Sequence, residues 1–208
     1  MSCSVFGTYL CRACGEKILP VSYLICPVCE RAAIGGFTHP GCKTRYSLDG
    51  LISLYTYEGP IRAALKRLKY KPYLADLAEV LVRLGKSELG RSFANFAVVP
   101  VPLHPQRQRE RGFNQATLIG RAVARQLSLI VTDRVIKRTR YTKPQVNLSG
   151  KERRVNLINA FTLGTNQLQN PRILLVDDVW TTGSTLRACA NVLKRAGAKD
   201  VWAFTIAR

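Results

Sequence analysis

From about residue 51 onward, apolar positions form short runs that alternate with helical repeats. The runs at residues 96–103, 172–179 and 201–207 are mostly apolar on consecutive positions and rich in β-branched residues, which is typical of strands buried on both faces. Residues 112–127 and 182–196 instead repeat apolar side chains at helical spacing. This alternation predicts an α/β domain with a parallel sheet flanked by helices.

Two amphipathic helices are predicted before the first of these strands. The segment after Gly59 and Pro60 places Ile61, Leu65 and Leu68 on one face, and residues 75–84 form a second helix that ends at a glycine. Residues 134–154 contain eight basic residues and one acidic residue, with proline and glycine breaks. We therefore expect this segment to be a mobile basic loop.

Residues 1–50 lack apolar periodicity and hold six of the seven cysteines. The chain is therefore predicted to contain a small Cys-rich domain at residues 1–50 and an α/β domain at residues 51–208.

The cysteines of the N-terminal domain are spaced as metal ligands. Two CxxC pairs can supply four thiolates to a tetrahedral site, as structural Zn²⁺ requires; they are Cys11, Cys14, Cys26 and Cys29. Four thiolates leave no open position for water, so we expect a zinc ribbon with a structural role. His39, Cys42 and Cys3 remain alternative ligands.

The charge of the chain narrows the class of partner. Among 208 residues there are 32 basic and 13 acidic side chains, for a formal net charge of +19. Such an excess favours phosphates, nucleic acid or an acidic surface as partners, although a solvated basic face is the plainer alternative. No apolar run has the length of a signal peptide or of a membrane span. We therefore expect a cytoplasmic protein whose cysteines are reduced or metal-bound.

The stretch ILLVDDVWTTGSTL, residues 173–186, carries the most specific chemistry. It puts Asp177 and Asp178 at the carboxyl end of a buried strand, where open α/β sheets bind ligands. Adjacent buried carboxylates need hydroxyl donors, a metal ion or a nearby cation. The small residues 181–185 then lead into a helix whose N-terminus favours an anion. A sugar phosphate satisfies both halves, whereas the plainer interpretation is a helix cap beside two solvated aspartates.

Three further groups of basic residues are candidates for binding anions. Arginine forks match phosphate oxygens, and three arginines follow the strand at residues 96–103; a mixed-charge helix start is the alternative. Cations interleaved with aromatic residues can hold a single-stranded nucleic acid, and two segments have that character, although either could be a solvated face. The phosphate candidates are Arg107, Arg109 and Arg111; the nucleic-acid candidates are Arg62, Lys66, Lys69, Arg138, Arg140, Tyr141 and Lys143.

These motifs together resemble a known family. ILLVDDVWTTGSTL resembles the 5-phosphoribosyl-1-pyrophosphate (PRPP) motif of type I phosphoribosyltransferases. With PVPLHPQRQRERGFNQA, KPQVNLSGKERRVNLINAF and the CxxC pairs, the chain is similar to the ComF (ComFC) competence family. The resemblance implies a type I phosphoribosyltransferase-like fold, with a pyrophosphate-binding loop at the arginine-rich segment and Mg²⁺ bound together with PRPP. It also implies a role in natural transformation, with single-stranded DNA and DNA-uptake proteins as partners.

The resemblance further implies roles for individual residues of the motif. Asp177 and Asp178 would hold the ribose 2′- and 3′-hydroxyls. The 5-phosphate would be wrapped by five residues, Thr181, Thr182, Gly183, Ser184 and Thr185. Two other functions stay open at this point: an active transferase moving phosphoribose to a nitrogen acceptor, and a non-catalytic regulator that senses PRPP and binds DNA.

Overall fold

A parallel sheet forms the centre of the fold, as the apolar runs predicted, but it has five strands rather than the three that were predicted. The computed structural model describes residues 9–70, 75–85, 93–140, 160–165 and 167–208. All neighbouring strands of the sheet run parallel, in the order β1-β7-β6-β2-β3. These strands are β1 (Gly50–Tyr55), β2 (Ala97–Pro100), β3 (Ile130–Val131), β6 (Arg172–Val179) and β7 (Asp200–Ala207).

Helices cover both faces of this sheet, which confirms the predicted α/β class. Alternate residues of β6 point to opposite faces, so Leu174 packs in one apolar cluster and Leu175 in the other. One face is covered by α2 (Gly59–Leu68), α3 (Ala75–Leu84) and α5 (Gln115–Leu127). The other face is covered mainly by α6 (Ser184–Arg195). The remaining helical segments are α1 (Arg12–Gly15), α4 (Pro105–Arg111) and two 3₁₀ turns, Ile34–Gly36 and Pro40–Cys42.

Two segments differ from their predicted structure. The arginine-rich segment after β2 is helix α4, as the alternative of a mixed-charge helix start allowed, rather than the loop that the resemblance implied. Gly112, in the left-handed conformation at φ 77°, ends it before α5 begins. Within the predicted basic loop, Ile136–Arg138 form strand β4, which pairs antiparallel with β5 (Phe161–Leu163). The side chains of Ile136 and Phe161 are buried against the sheet, and this burial holds the strand pair in place despite the surrounding basic residues.

The strand order locates the ligand-binding edge. The chain moves from β2 outward to β3 on one side, and from β6 to β7 on the other. The order therefore reverses between β2 and β6, and the carboxyl ends of these two neighbours open a crevice. Asp177 and Asp178 lie near the end of β6, beside this crevice.

Candidate functional site

The two adjacent aspartates at the end of β6 are compensated by a lysine. Oδ1 of Asp177 accepts a hydrogen bond from the backbone N–H of Asp178 at 2.9 Å. The Nζ atom of Lys69, which directly follows α2, lies 2.7 Å from Oδ2 of Asp178. Of the three kinds of partner that the sequence suggested, the structure therefore shows a cation.

The pKa values of these groups show how tightly the charges are packed. Burial and the adjacent charge of Asp178 raise the pKa of Asp177 well above its ordinary value. Burial also lowers the pKa of Lys69, but its ion pair with Asp178 outweighs this effect, so the pKa is raised overall. Lys69 therefore stays charged, and additional positive charge or a hydroxyl donor near Asp177 would stabilise its carboxylate.

The small-residue segment after β6 turns tightly into the N-terminus of α6. Gly183 has φ 64°, and a Cβ atom there would overlap the indole ring of Trp180, so both backbone and space require glycine. The hydroxyls of Thr182 and Ser184 are hydrogen-bonded at 2.8 Å. No side chain of the described residues caps the first turn of α6. Its backbone N–H groups are therefore suited to an anion.

Cationic side chains line the same cleft as the two aspartates. The cleft encloses about 580 Å³ and is bordered by Arg107, Arg111, Arg138, both aspartates and Thr185. Burial and the nearby positive charge of Arg107 lower the pKa of Arg138. Two arginines close enough to oppose each other's charge would both be stabilised by an anion placed between them.

The structure brings together only some of the predicted phosphate ligands. Arg107 and Arg111 are one helical turn apart on α4 and border the cleft, whereas Arg109 is exposed and does not line it. In the small-residue segment Thr181 is exposed, and Thr182, Gly183, Ser184 and Thr185 form the turn and the start of α6.

The nucleic-acid candidates are divided in a similar way. Arg62, Lys66 and Arg140 are exposed, but Lys69 and Arg138 turn into the cleft. Tyr141 and Lys143 lie outside the described residues. The role of Lys69 beside Asp178 was missed from sequence, because the two residues are far apart along the chain and only the packing of α2 brings them together.

A compact group of metal-ligand side chains lies in the N-terminal segment. The ligand atoms of Cys26, Cys29, His39 and Cys42 all lie within 4.8 Å of one another. The structure thus joins the second CxxC pair to His39 and Cys42. Cys11 and Cys14, predicted as the other two ligands, are not part of this group. The His-x-x-Cys spacing at residues 39–42 was the sequence signal for the alternative set.

The chemistry of this group fits a tetrahedral metal ion such as zinc. Nδ1 of His39 lies 3.3 Å from Sγ of Cys29, and Nε2 lies 3.0 Å from the carbonyl oxygen of Ala32. A metal-bound histidine ordinarily donates its other ring N–H to such an acceptor. The hydrogen bond with Cys29, followed by burial and the neighbouring thiols, raises the pKa of Cys42 to about 11. A cation among the thiols would reverse that effect.

Comparison with known proteins agrees with the fold and identifies the family of the chain. Residues 114–208 match the family model described as "Phosphoribosyl transferase domain". The chain is 33% identical to Competence protein F of Haemophilus influenzae, over 96% of this chain and 90% of that protein. This chain belongs to the ComF competence family. It is also 30% identical to Competence protein ComFC of Bacillus subtilis, over 96% and 84% of the two chains.

A further relative carries a related name. The chain is 33% identical to the DNA utilization protein YhgH of Escherichia coli K12, with 96% of each chain covered. No solved structure matches the chain at a significant level. In the described part of this ComF-family chain, no helix has both the length and the apolar character needed to cross a bilayer.

Proposed function

We propose that the cleft at the end of β6 binds PRPP or a closely related sugar phosphate. Three kinds of group that such a ligand requires border one cleft. Carboxylate oxygens can accept hydrogen bonds from ribose hydroxyls, the start of α6 can receive a phosphate, and arginine forks can receive a pyrophosphate. The co-location of Asp177 and Asp178 with Thr185 and the arginines Arg107 and Arg138 is the observation that carries the proposal.

Each part of the ligand has a distinct place in this proposal. The 5-phosphate would bind to the backbone of residues 181–185 and the ribose hydroxyls to the two aspartates. The pyrophosphate would bind to the cleft arginines Arg107, Arg111 and Arg138. The raised pKa of Asp177 means that added positive charge is favourable there. Mg²⁺ bound to the pyrophosphate would supply such charge and neutralise part of the ligand's own.

Calorimetric titration with ribose 5-phosphate, and with PRPP plus Mg²⁺, tests this assignment. The Asp177→Asn/Asp178→Asn double variant should weaken binding by about 100-fold, because two charge-assisted hydrogen-bond acceptors are lost. Asp200→Asn is the matched control, since Asp200 pairs with Arg172 at the amino ends of β7 and β6. Absence of saturable binding in the unmodified protein would refute the proposal. Pyrophosphate release in the PRPP samples would show that the bond to pyrophosphate is cleaved with water as the acceptor, which separates turnover from binding alone.

We also propose that the ion held by the metal-ligand group, which consists of three cysteines and one histidine, is structural Zn²⁺. Three thiolates and an imidazole complete a tetrahedral shell, so no position stays open for a reacting water. Cys26, Cys29, His39 and Cys42 would hold this ion. Its contribution would be to stabilise the N-terminal segment, which otherwise has few buried apolar side chains.

The proposed cellular role is the handling of incoming single-stranded DNA during natural transformation, together with proteins of the uptake machinery. Relatives named for competence and DNA utilization support it, as does the net charge of +19. Among the described residues, Arg62 and Lys66 give α2 an exposed basic face that is separate from the cleft.

Fluorescence anisotropy with a labelled single-stranded oligonucleotide tests DNA binding. We expect affinity to fall steeply with salt, and Arg62→Gln/Lys66→Gln to reduce the slope of log affinity against log salt by roughly 1 to 2. Arg172→Gln, which removes an exposed arginine near the amino ends of the strands, is the control. Equal slopes for the double variant and the control would exclude this face of α2 as the DNA-binding surface.

A further inference from the structure

One arginine of α6 is bonded to both the metal-ligand turn and the phosphate loop. Nε of Arg187 donates to the carbonyl oxygen of Pro27 at 2.6 Å, and Nη1 donates to the carbonyl oxygen of Thr182 at 2.9 Å. Nη2 donates to Oε1 of Glu30 at 2.8 Å. Nη2 also donates to the carbonyl oxygen of Val28 at 3.4 Å. The guanidinium is planar and rigid, so these bonds fix the two segments relative to each other.

On one side, Arg187 contacts the backbone between two metal-binding thiols. Pro27 lies between Cys26 and Cys29, whose Sγ atoms belong to the metal-ligand group. Glu30 directly follows Cys29, has φ 62°, and donates its backbone N–H to the carbonyl oxygen of Cys26 at 2.9 Å. A bound metal would hold both thiols in place. The Pro27 carbonyl and the Glu30 carboxylate that Arg187 contacts would then be held with them.

On the other side, Arg187 sets the orientation of one peptide of the phosphate loop. The carbonyl of Thr182 and the N–H of Gly183 belong to the same planar peptide and point in opposite directions. Fixing the carbonyl towards Arg187 therefore fixes the N–H of Gly183 away from it. The guanidinium also lies 5.1 Å from the centre of the Trp180 ring, and that ring packs against Gly183. Arg187 thus supports this peptide directly and through Trp180.

We propose that Arg187 is a positioning residue that couples metal binding at the metal-ligand group to phosphate binding at residues 181–185. This inference rests on the phosphoribose site proposed above. Coupling between two sites is reciprocal. The bound metal therefore raises the affinity of the loop for phosphate, and bound phosphate slows the loss of the metal. The N-terminal metal segment thereby becomes part of the ligand site.

Zinc release into an excess of chelator, with and without saturating ribose 5-phosphate, measures this coupling. In the unmodified protein the ligand should slow zinc release by about fivefold or more, within the usual range of coupling between sites. Arg187→Gln should abolish that slowing. Arg187→Lys should abolish it as well, because a compact ammonium group cannot reproduce the fork that joins the two segments.

Arg195→Gln provides the matched control. Arg195 lies on the same helix, contacts Tyr46 of the N-terminal segment at 4.6 Å from the ring centre, and donates to Asn191 at 2.8 Å. In the Arg195→Gln variant, ribose 5-phosphate should still slow zinc release. If Arg187→Gln also retains this slowing while ribose 5-phosphate binds, the coupling proposal is wrong and the phosphoribose site stands.

Hydrogen exchange at the backbone amides of residues 181–185 provides a readout that needs no ligand. In zinc-loaded protein, Arg187→Gln should increase exchange there, whereas Arg195→Gln should not. Unchanged exchange in Arg187→Gln would overturn the positioning role. Increased exchange in a protein that binds no ribose 5-phosphate would support that role and refute the phosphoribose site, so the two failures can be distinguished.

Discussion

Replacing Lys69 by Met removes the ammonium group bonded to Asp178. At the observed 2.7 Å the attraction between unit charges is about 6 kcal/mol for an effective dielectric constant of about 20. Desolvation of both groups opposes this gain, and the Lys69 side chain remains 29% exposed. We therefore expect a net loss of about 2–3 kcal/mol in the free energy of unfolding, below the usual cost of breaking a fully buried pair.

Urea unfolding of the zinc-loaded protein at pH 7.5 measures this loss. The pKa of Lys69 is raised in the folded state, so its contribution is fully present below its ordinary value of 10.5 and is lost only at higher pH. Lys66→Met, three residues earlier on the exposed face of α2, should change stability by less than about 0.5 kcal/mol. Equal stability of the two variants would refute the argument that this ion pair holds the carboxylates in place.

Two further predictions concern the carboxylates and the metal group. The pKa of Asp177 is raised in the folded state, so the folded protein loses stability as the pH rises from about 3.8 through this raised pKa. Asp177→Asn should therefore be more stable than the unmodified protein at pH 8. Urea unfolding should show that this gain shrinks towards pH 4. Cys42→Ser should lower zinc content by one equivalent in atomic emission measurements, whereas Cys11→Ser should not. The reverse result, with zinc lost from Cys11→Ser and kept by Cys42→Ser, would favour the four-thiolate set predicted from sequence.

Features encoded by neighbouring residues were predictable from the sequence. The apolar run of β6, the two aspartates and the turn into α6 are contiguous, so one stretch predicted the strand, the place of the aspartates near its end and the following helix. The pairing of Cys26 with Cys29 in one metal-ligand group was predictable for the same reason, because the two cysteines are close along the chain. The arginine-rich segment was harder, because a short polar helix such as α4 has no apolar repeat to reveal it.

Contacts between distant segments could not be predicted from local patterns. Lys69 follows an amphipathic helix, and the sequence alone assigned it to the exposed basic face. Only the packing of α2 against the sheet turns it towards Asp178. The choice between Cys11 with Cys14 and His39 with Cys42 likewise depends on how the N-terminal segment folds, since both spacings suit a metal.

The pairing of β1 with β7 has a consequence for how the chain folds. Ser53 of β1 and Thr205 of β7 share a buried hydrogen bond although they are separated by 152 positions. Closing so long a loop carries a large entropy cost and slows folding. During synthesis, β1 must wait until residues 200–207 have left the ribosome before its partner exists. Until then the apolar residues of this strand are open to chaperones and to aggregation.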